Sequence, residues 1–340
     1  MLEARETTCT GYSIMKTGKS AYQAAVVFVL FVASLFIGQA HAESRQLAYL
    51  VSDKRIPFWD IMARGIQAQA GELGYSVKVF SADNRAKTEL QNTATVLKQE
   101  VDGIILSPTN SSAAVTILKL AGQAEVPVVV ADIGADTDNY LSYIQSDNYQ
   151  GAFDLGRILA KRLKNKGWQQ GRVGIVAIPQ SRDNGKARTR GFLDALAEHR
   201  IKVADIHQQS DFSYRETYDY TSGLIARHPD LRAVWLQGSN RYQAALDAIN
   251  DAGKSDEILL ICFDAEPEFI EMIETGALVG AGMQQPFLMG RLAVRSLDRH
   301  FQGETVDPQQ QVGVLAVSNR NLNTLLPIIQ RNVLGQEAAE

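Results

Sequence analysis

The chain has 340 residues, 45% of them hydrophobic and 21% charged, and a formal net charge of −4. That length fits one large or two medium domains. The slightly acidic balance excludes the basic face that a nucleic-acid binder presents, so no nucleic-acid partner is expected.

The first 42 residues do not read as part of the fold. Ala24–Ile37 is a 14-residue apolar run, preceded by Lys16 and Lys19 and followed by Ala40-His41-Ala42. A charged stretch, an apolar core and a small-residue site make a secretory signal peptide over 1–42, cleaved after Ala42, which places the mature chain in the periplasm. The run is shorter than the roughly 20 residues that span a bilayer, which argues against an uncleaved anchor. Met15-Lys16 opens such a signal better than Met1 does, so Met15 competes with Met1 as the start. Cleavage removes Cys9 and leaves Cys262, which reads as a small buried apolar residue rather than a reactive thiol.

From residue 46 onward, short β-rich runs alternate with longer amphipathic stretches. Strands are expected at Gln46–Val51, Ser76–Phe80, Gly103–Leu106, Val126–Ala131, Arg172–Ile178, Lys202–Gln208, Ala233–Gln237, Ile258–Phe263 and Leu278–Met283. Helices are expected at Phe58–Leu73, Lys87–Glu100, Ala113–Ala124, Gln150–Lys164, Lys186–Glu198, Tyr214–Arg227, Tyr242–Ala252, Glu266–Glu274 and Phe287–Phe301. Continuously apolar runs such as Val126-Pro127-Val128-Val129-Val130 suit parallel strands buried on both faces. The alternation argues for doubly wound α/β sheets. Gly74, Gly167, Gly253 and Gly276 follow helical stretches, where a left-handed terminal residue is common. Glu72–Val77 and Glu198–Val203 repeat one helix-to-strand junction, which suggests two similar lobes. The polar end, Arg331–Glu340, is expected to fray.

Enzyme motifs fail. Gly280-Ala281-Gly282 lacks the third glycine of a dinucleotide fingerprint, and there is no phosphate-binding loop, His-Glu-x-x-His or Gly-x-Ser-x-Gly. His199, His207, His228 and His300 are scattered without metal spacing. No nucleophile–base pair is visible, so no enzyme activity, cofactor or metal is expected. What the chain does carry is polar residues at strand ends: Asp132, Asp147, Gln237, Asp264 and Gln284. Any one alone reads as a cap or turn residue. Together they sit where open α/β sheets bind ligands, beside helix N-termini. The stretch Leu47–Trp59, a strand, a turn and a helix opened by Pro57, supplies an aromatic wall from Phe58 and Trp59.

The order and spacing of these segments resemble the type I periplasmic sugar-binding proteins of the ribose/galactose group, relatives of the regulatory domains of LacI-type repressors. The resemblance runs from about Gln46 to Ser318. Its carriers include Pro57-Phe58-Trp59, Val101–Thr109, Val126–Asp132, Ser146-Asp147-Asn148, Arg188 to Phe192, His228-Pro229-Asp230 and Phe263-Asp264. It implies two doubly wound parallel-sheet lobes joined by three crossover strands: residues 45–146 with 285–313, and 147–284 with 314–325, leaving 326–340 as a tail. It implies a monomer that closes on a small, sugar-like ligand and is then read by an ABC transporter permease, with a sensor kinase or chemoreceptor as the alternative partner. Phe58, Trp59 and Phe212 match the family's aromatics, and Asp132, Arg188 (or Lys186), Asp264 and Gln284 its polar groups. Ser52, Ile56 and Asn240 complete the candidate ligand-binding set.

Three departures stand out. Ile56 replaces an Asn common before the Pro-Phe pair, Ile133 an Arg that a ribose binder has after the strand-end Asp, and Gly238-Ser239 an Asn-Asp pair. Fewer polar partners make a more apolar pocket, which favours a deoxy sugar, a smaller polyol, a furanosyl signal or a non-sugar metabolite over a plain hexose or ribose.

Overall fold

The apolar runs become the inner strands of two six-stranded sheets. The computed structural model describes residues 44–336; the expected signal peptide at 1–42, its cleavage after Ala42 and the choice between Met1 and Met15 lie outside the described residues. From edge to edge, the first sheet contains β11 (Gln309–Val312), β5 (Ser142–Ser146), β4 (Val128–Ala131), β3 (Gly103–Ser107), β1 (Gln46–Val51) and β2 (Ser76–Ser81), every pair parallel. The second contains β12 (Leu315–Val317), β10 (Ala281–Met283), β9 (Leu259–Phe263), β8 (Leu231–Leu236), β6 (Arg172–Ala177) and β7 (Lys202–Gln208). Only β12 runs antiparallel to its neighbour. The chain crosses from the first sheet to the second after Ser146, returns after Met283 and crosses again after Val312.

Each sheet is covered on both faces, which is why its central strands carry no polar alternation. On the first, α1 (Pro57–Glu72) and α9 (Pro286–Phe301) cover one face through Met62, Ile66, Met289, Ala293 and Leu297. The other face packs against α2 (Ala86–Leu97) and α3 (Ser111–Gln123) through Val96, Ile117 and Leu118. On the second sheet, α4 (Asn148–Asn165) and α5 (Asp183–Glu198) cover one face, and α6 (Tyr214–Arg227), α7 (Tyr242–Asp251), α8 (Phe269–Thr275) and α10 (Leu322–Ile328) the other. Helix α1 meets α9 at backbone distance. A β-carbon on Gly65 would overlap the Phe287 carbonyl, and one on Gly290 the Met62 carbonyl, so these crossings require glycine. The four glycines expected at helix ends all have positive φ, between 65° and 82°.

Several segments depart from the expectation. Strands β5, β11 and β12 were not expected. The first two read Ser-Tyr-Ile-Gln-Ser and Gln-Gln-Gln-Val, too polar to stand out, because β11 is an edge strand. Strand β4 starts at Val128, since Val126 still donates its N–H back to Ala121 at the end of α3. Helix α8 begins at Phe269 rather than Glu266. The part of the expected tail that is described, up to residue 336, is packed instead: a π-helical turn, Ile329–Val333, inserts Ile329 and Val333 into the second lobe's core, and Leu334 is buried behind it. Arg64 of α1 donates to the carbonyls of Leu334 and Gly335 at 2.9 and 2.8 Å. An apolar face of only three residues gave no periodic signal.

Candidate ligand-binding site

The carboxyl ends of both sheets face one cavity, about 500 Å³ of atom-free space including its mouth. Its walls are Ile56, Phe58, Trp59 and Asp132 from the first lobe, and Ile178, Arg182, Asn184, Arg188, Phe212, Gly238, Ser239, Asn240, Asp264, Glu266 and Gln284 from the second. Pro57 fixes the first turn of α1 and aims two adjacent aromatics inward. The Phe58 and Trp59 rings meet edge to face, centroids 6.1 Å apart at 79°. Trp59 is 4% exposed, and its buried Nε1 lies toward the Asp132 carboxyl, short of full hydrogen-bond geometry.

Three site residues hold left-handed backbone conformations that side chains seldom adopt: Asp132 (φ 70°), Phe212 (φ 58°) and Asp264 (φ 67°). Each such residue carries strain of order 1–3 kcal/mol, which clusters at functional positions. Here it turns each side chain out of its strand or loop and into the cavity. Asp132 follows β4 and Asp264 follows β9, so the two carboxylates approach from opposite lobes.

The electrostatics are arranged around Arg188, whose side chain is 3% exposed. Its Nε donates to Asn148 Oδ1 at 2.8 Å and its Nη1 to the Gln237 carbonyl at 2.7 Å. The guanidinium lies 4.0 Å over the Phe263 ring and reaches Asp264 Oδ2 at 3.4 Å. Gln284 Nε2 donates to the other Asp264 oxygen at 2.5 Å, leaving Gln284 Oε1 buried without a partner among the described residues. Burial pushes the Asp132 carboxyl up to about 6, opposed by Arg188, reinforced by Asp264 and opposed again by Arg182. Asn184 Nδ2 donates to Asp132 across the cavity at 3.4 Å. Burial also raises Glu266 to about 7, opposed by the Ser239 hydroxyl that donates to it at 2.8 Å. Two guanidiniums thus face Asp132 and Glu266, whose carboxyl pKa values burial raises. Aromatic faces, two carboxyl acceptors and unpaired amide and indole groups suit a small polyhydroxylated ring. Among the described residues, no group of three His, Cys, Asp or Glu side chains could hold a metal ion.

The structure brings Phe58, Trp59, Asp132, Arg188, Phe212, Asn240, Asp264, Gln284 and Ile56 to this cavity. Ser52 is the exception: it is fully buried at the end of β1 and donates to Asn84 Oδ1 at 3.3 Å instead of lining the space. Lys186 points outward to Asp183, so Arg188 is the inward cation of α5. Asp147 is a helix cap, accepting from the Gln150 N–H at 3.0 Å. Gln237 is a strut under Arg188. The expected apolar pocket is also corrected. Ile133 is turned wholly into the first lobe's core, away from the cavity. Arg182, Asn184 and Glu266, which the sequence reading passed over, and Ser239, which it counted only as a lost polar partner, restore the polar complement. The one signal for Arg182 and Asn184 was Ser181-Arg182-Asp183-Asn184, which reads as an ordinary helix entry.

The comparisons with known proteins agree with this geometry. Residues 47–305 match a family model described as a periplasmic binding protein domain. The chain belongs to the periplasmic binding protein family. It is 30% identical over 271 residues to the ribose import binding protein of Escherichia coli (strain K12), covering 80% of this chain and 90% of that one. It is 27% identical to the D-apiose import binding protein of Paraburkholderia graminis, covering 85% and 90%. Among solved structures, a carbohydrate-transporter solute-binding protein of Agrobacterium radiobacter in complex with D-arabinose superposes with a TM-score of 0.79 at 22% identity, covering 86% of this chain and 99% of that one. At that identity the likeness speaks for the fold.

Proposed function

We propose that this chain is a periplasmic solute-binding protein that captures a neutral sugar between its lobes and presents the closed form to an ABC transporter permease. The observation that carries the reading is the cavity itself: Phe58 and Trp59 of the first lobe and Phe212 of the second line it, and Asp132 and Asp264 enter from opposite lobes. The aromatic faces take the apolar faces of a ring. The carboxylates accept from its hydroxyls, and Arg188, Asn184 and Asn240 supply donors. The restored polar complement supports a fully hydroxylated pentose or hexose over a deoxy or apolar ligand. Relatives named as import binding proteins support the permease as partner.

Closure follows from the same contacts. Only interactions stronger in the closed state than in the open one can drive hinge motion. Without ligand, Asp132 and Asp264 oppose each other in the closed form; ligand hydroxyls remove that opposition. A thermal-shift screen of the purified protein against pentoses, hexoses and polyols tests the reading. At ligand concentrations about 100-fold above Kd, the folded state gains about 2.7 kcal/mol, which reads as several degrees in Tm. A screen in which no sugar raises Tm, while a non-sugar metabolite does, counts against it.

A further inference from the structure

Among the described residues, Arg182 is the cavity cation that no carboxylate pairs with. It lies in the loop between β6 and α5 and is 6% exposed. The loop is braced: Arg182 N–H donates to the Pro179 carbonyl at 3.1 Å, Gln180 N–H to Gln208 Oε1 at 2.6 Å, and Thr189 Oγ1 to Gln180 Oε1 at 3.0 Å. The guanidinium sits between two walls, 5.8 Å from the Trp59 ring of the first lobe and 5.5 Å from the Phe212 ring of the second. Both of its hydrogen bonds to protein come from Nη2 and cross between lobes, to Asn84 Oδ1 at 3.1 Å and the Thr109 carbonyl at 3.2 Å. Those acceptors are held in place in turn. Asn84 receives Ser52 Oγ, and Thr109 donates its N–H and hydroxyl to Glu89 at 2.8 and 2.9 Å. Arg182 Nε and Nη1 meet no acceptor among the described residues, although the side chain lines the cavity.

The Nε–Nη1 edge of the guanidinium lines the cavity and is free to donate to a further acceptor placed there. Burial holds Arg182 below the ordinary arginine range, opposed by Asp132. We propose that Arg182 couples ligand capture to lobe closure: its Nη2 docks on the first-lobe rim at Asn84 and Thr109, while its Nε and Nη1 donate to an acceptor oxygen of the bound sugar at the cavity mouth. The ligand chemistry follows. An acceptor oxygen, ring or hydroxyl, must face this corner, and a cationic substituent there is excluded. Asp132, Asp264 and Glu266 around the remaining wall disfavour an anionic one.

The ligand half rests on the sugar reading above, and the docking half does not, so the test has two arms. In the first, spin labels at Lys87→Cys and Arg215→Cys, exposed positions on the two lobes, report the interlobe distance in ligand-free protein. Arg182→Ala is expected to shift the distribution to longer distances, Asn84→Ala to shift it less, and the double variant to match Arg182→Ala alone. An unchanged distribution in Arg182→Ala overturns the docking. In the second arm, calorimetry with D-ribose and D-arabinose is expected to show a Kd weakened about tenfold to a hundredfold by Arg182→Ala, the range for a hydrogen bond to a charged group. Arg182→Lys should recover part of the loss, and Arg190→Ala, on the outer face of α5, none. Equal affinity in wild type and Arg182→Ala overturns the ligand contact. Should neither sugar bind wild type, the ligand contact is overturned for these pentoses, and the ligand-free distances alone uphold or overturn the docking. Circular dichroism confirms that each variant is folded.

Discussion

Replacing Asp264 separates two effects that the geometry superimposes. The carboxylate accepts from Gln284 Nε2 and from Arg188, and its backbone sits at φ 67°. Asp264→Ala removes both acceptors and places alanine in the left-handed region. Arg188 keeps Asn148 Oδ1, the Gln237 carbonyl and the Phe263 ring. The loss should therefore fall below the 3–5 kcal/mol of a buried pair whose survivor is orphaned. A hydrogen bond to a charged group is worth about 1.5–3 kcal/mol, and alanine, which carries the same β-carbon as aspartate but cannot hydrogen-bond locally, adds only a fraction of the left-handed cost. Destabilisation of about 2–3 kcal/mol is expected. Asp264→Asn keeps a residue that tolerates this backbone. Its new amide can donate to Gln284 Oε1, now buried and unpaired, once that side chain flips, so about 1–2 kcal/mol is expected. Urea unfolding of ligand-free protein measures both, and calorimetry should show sugar binding abolished in Asp264→Ala. Equal destabilisation by the two variants, or less than about 0.5 kcal/mol for alanine, would refute the reasoning.

The remaining predictions concern the scaffold. Burial raises Glu89, 1% exposed, from 4.5 to about 7, so it holds its proton more tightly folded than unfolded. The stability this contributes is complete below about pH 4.5 and lost as pH rises toward 7; Glu89→Gln should flatten part of that fall in urea melts, and an identical slope would count against the assignment. Gly65→Ala and Gly71→Ala gain the same helix propensity, about 1 kcal/mol. Gly65 faces the Phe287 carbonyl and Gly71 open space, so the first should destabilise by about 1–2 kcal/mol net of overpacking and the second should stabilise; the reverse order would contradict the α1–α9 packing. Val333→Asp buries a charge in the second lobe's core and should cost about 2–4 kcal/mol; an unchanged Tm would return the C-terminal segment to a frayed tail.

Most of the scaffold was legible because a parallel sheet covered on both faces writes its strands as unbroken apolar runs; Val128–Ala131 and Leu259–Phe263 are examples. The edge strand Gln309–Val312 has no such constraint and was invisible. In the cavity, the residues found first were those announced by a strand end, such as Asp132 and Asp264, or by a proline-set helix start, such as Phe58 and Trp59. Arg182 and Glu266 escaped because they lie in loops whose local chemistry reads as helix entry or turn. What selects them is the partner across the cavity, more than 70 residues away for Arg182 and Thr109. Ile133 misled for the complementary reason: position along the chain does not say which way a side chain turns after a left-handed residue.

The central claim is that a sugar ring occupies the space between the lobes. A crystal structure of the protein with the sugar that raises its Tm tests this most directly. The account predicts the ring between the Phe58–Trp59 pair and Phe212, its hydroxyls donating to Asp132 and Asp264 and one oxygen accepting from Arg182. A sugar bound elsewhere on the protein, with this cavity holding only solvent, would contradict it.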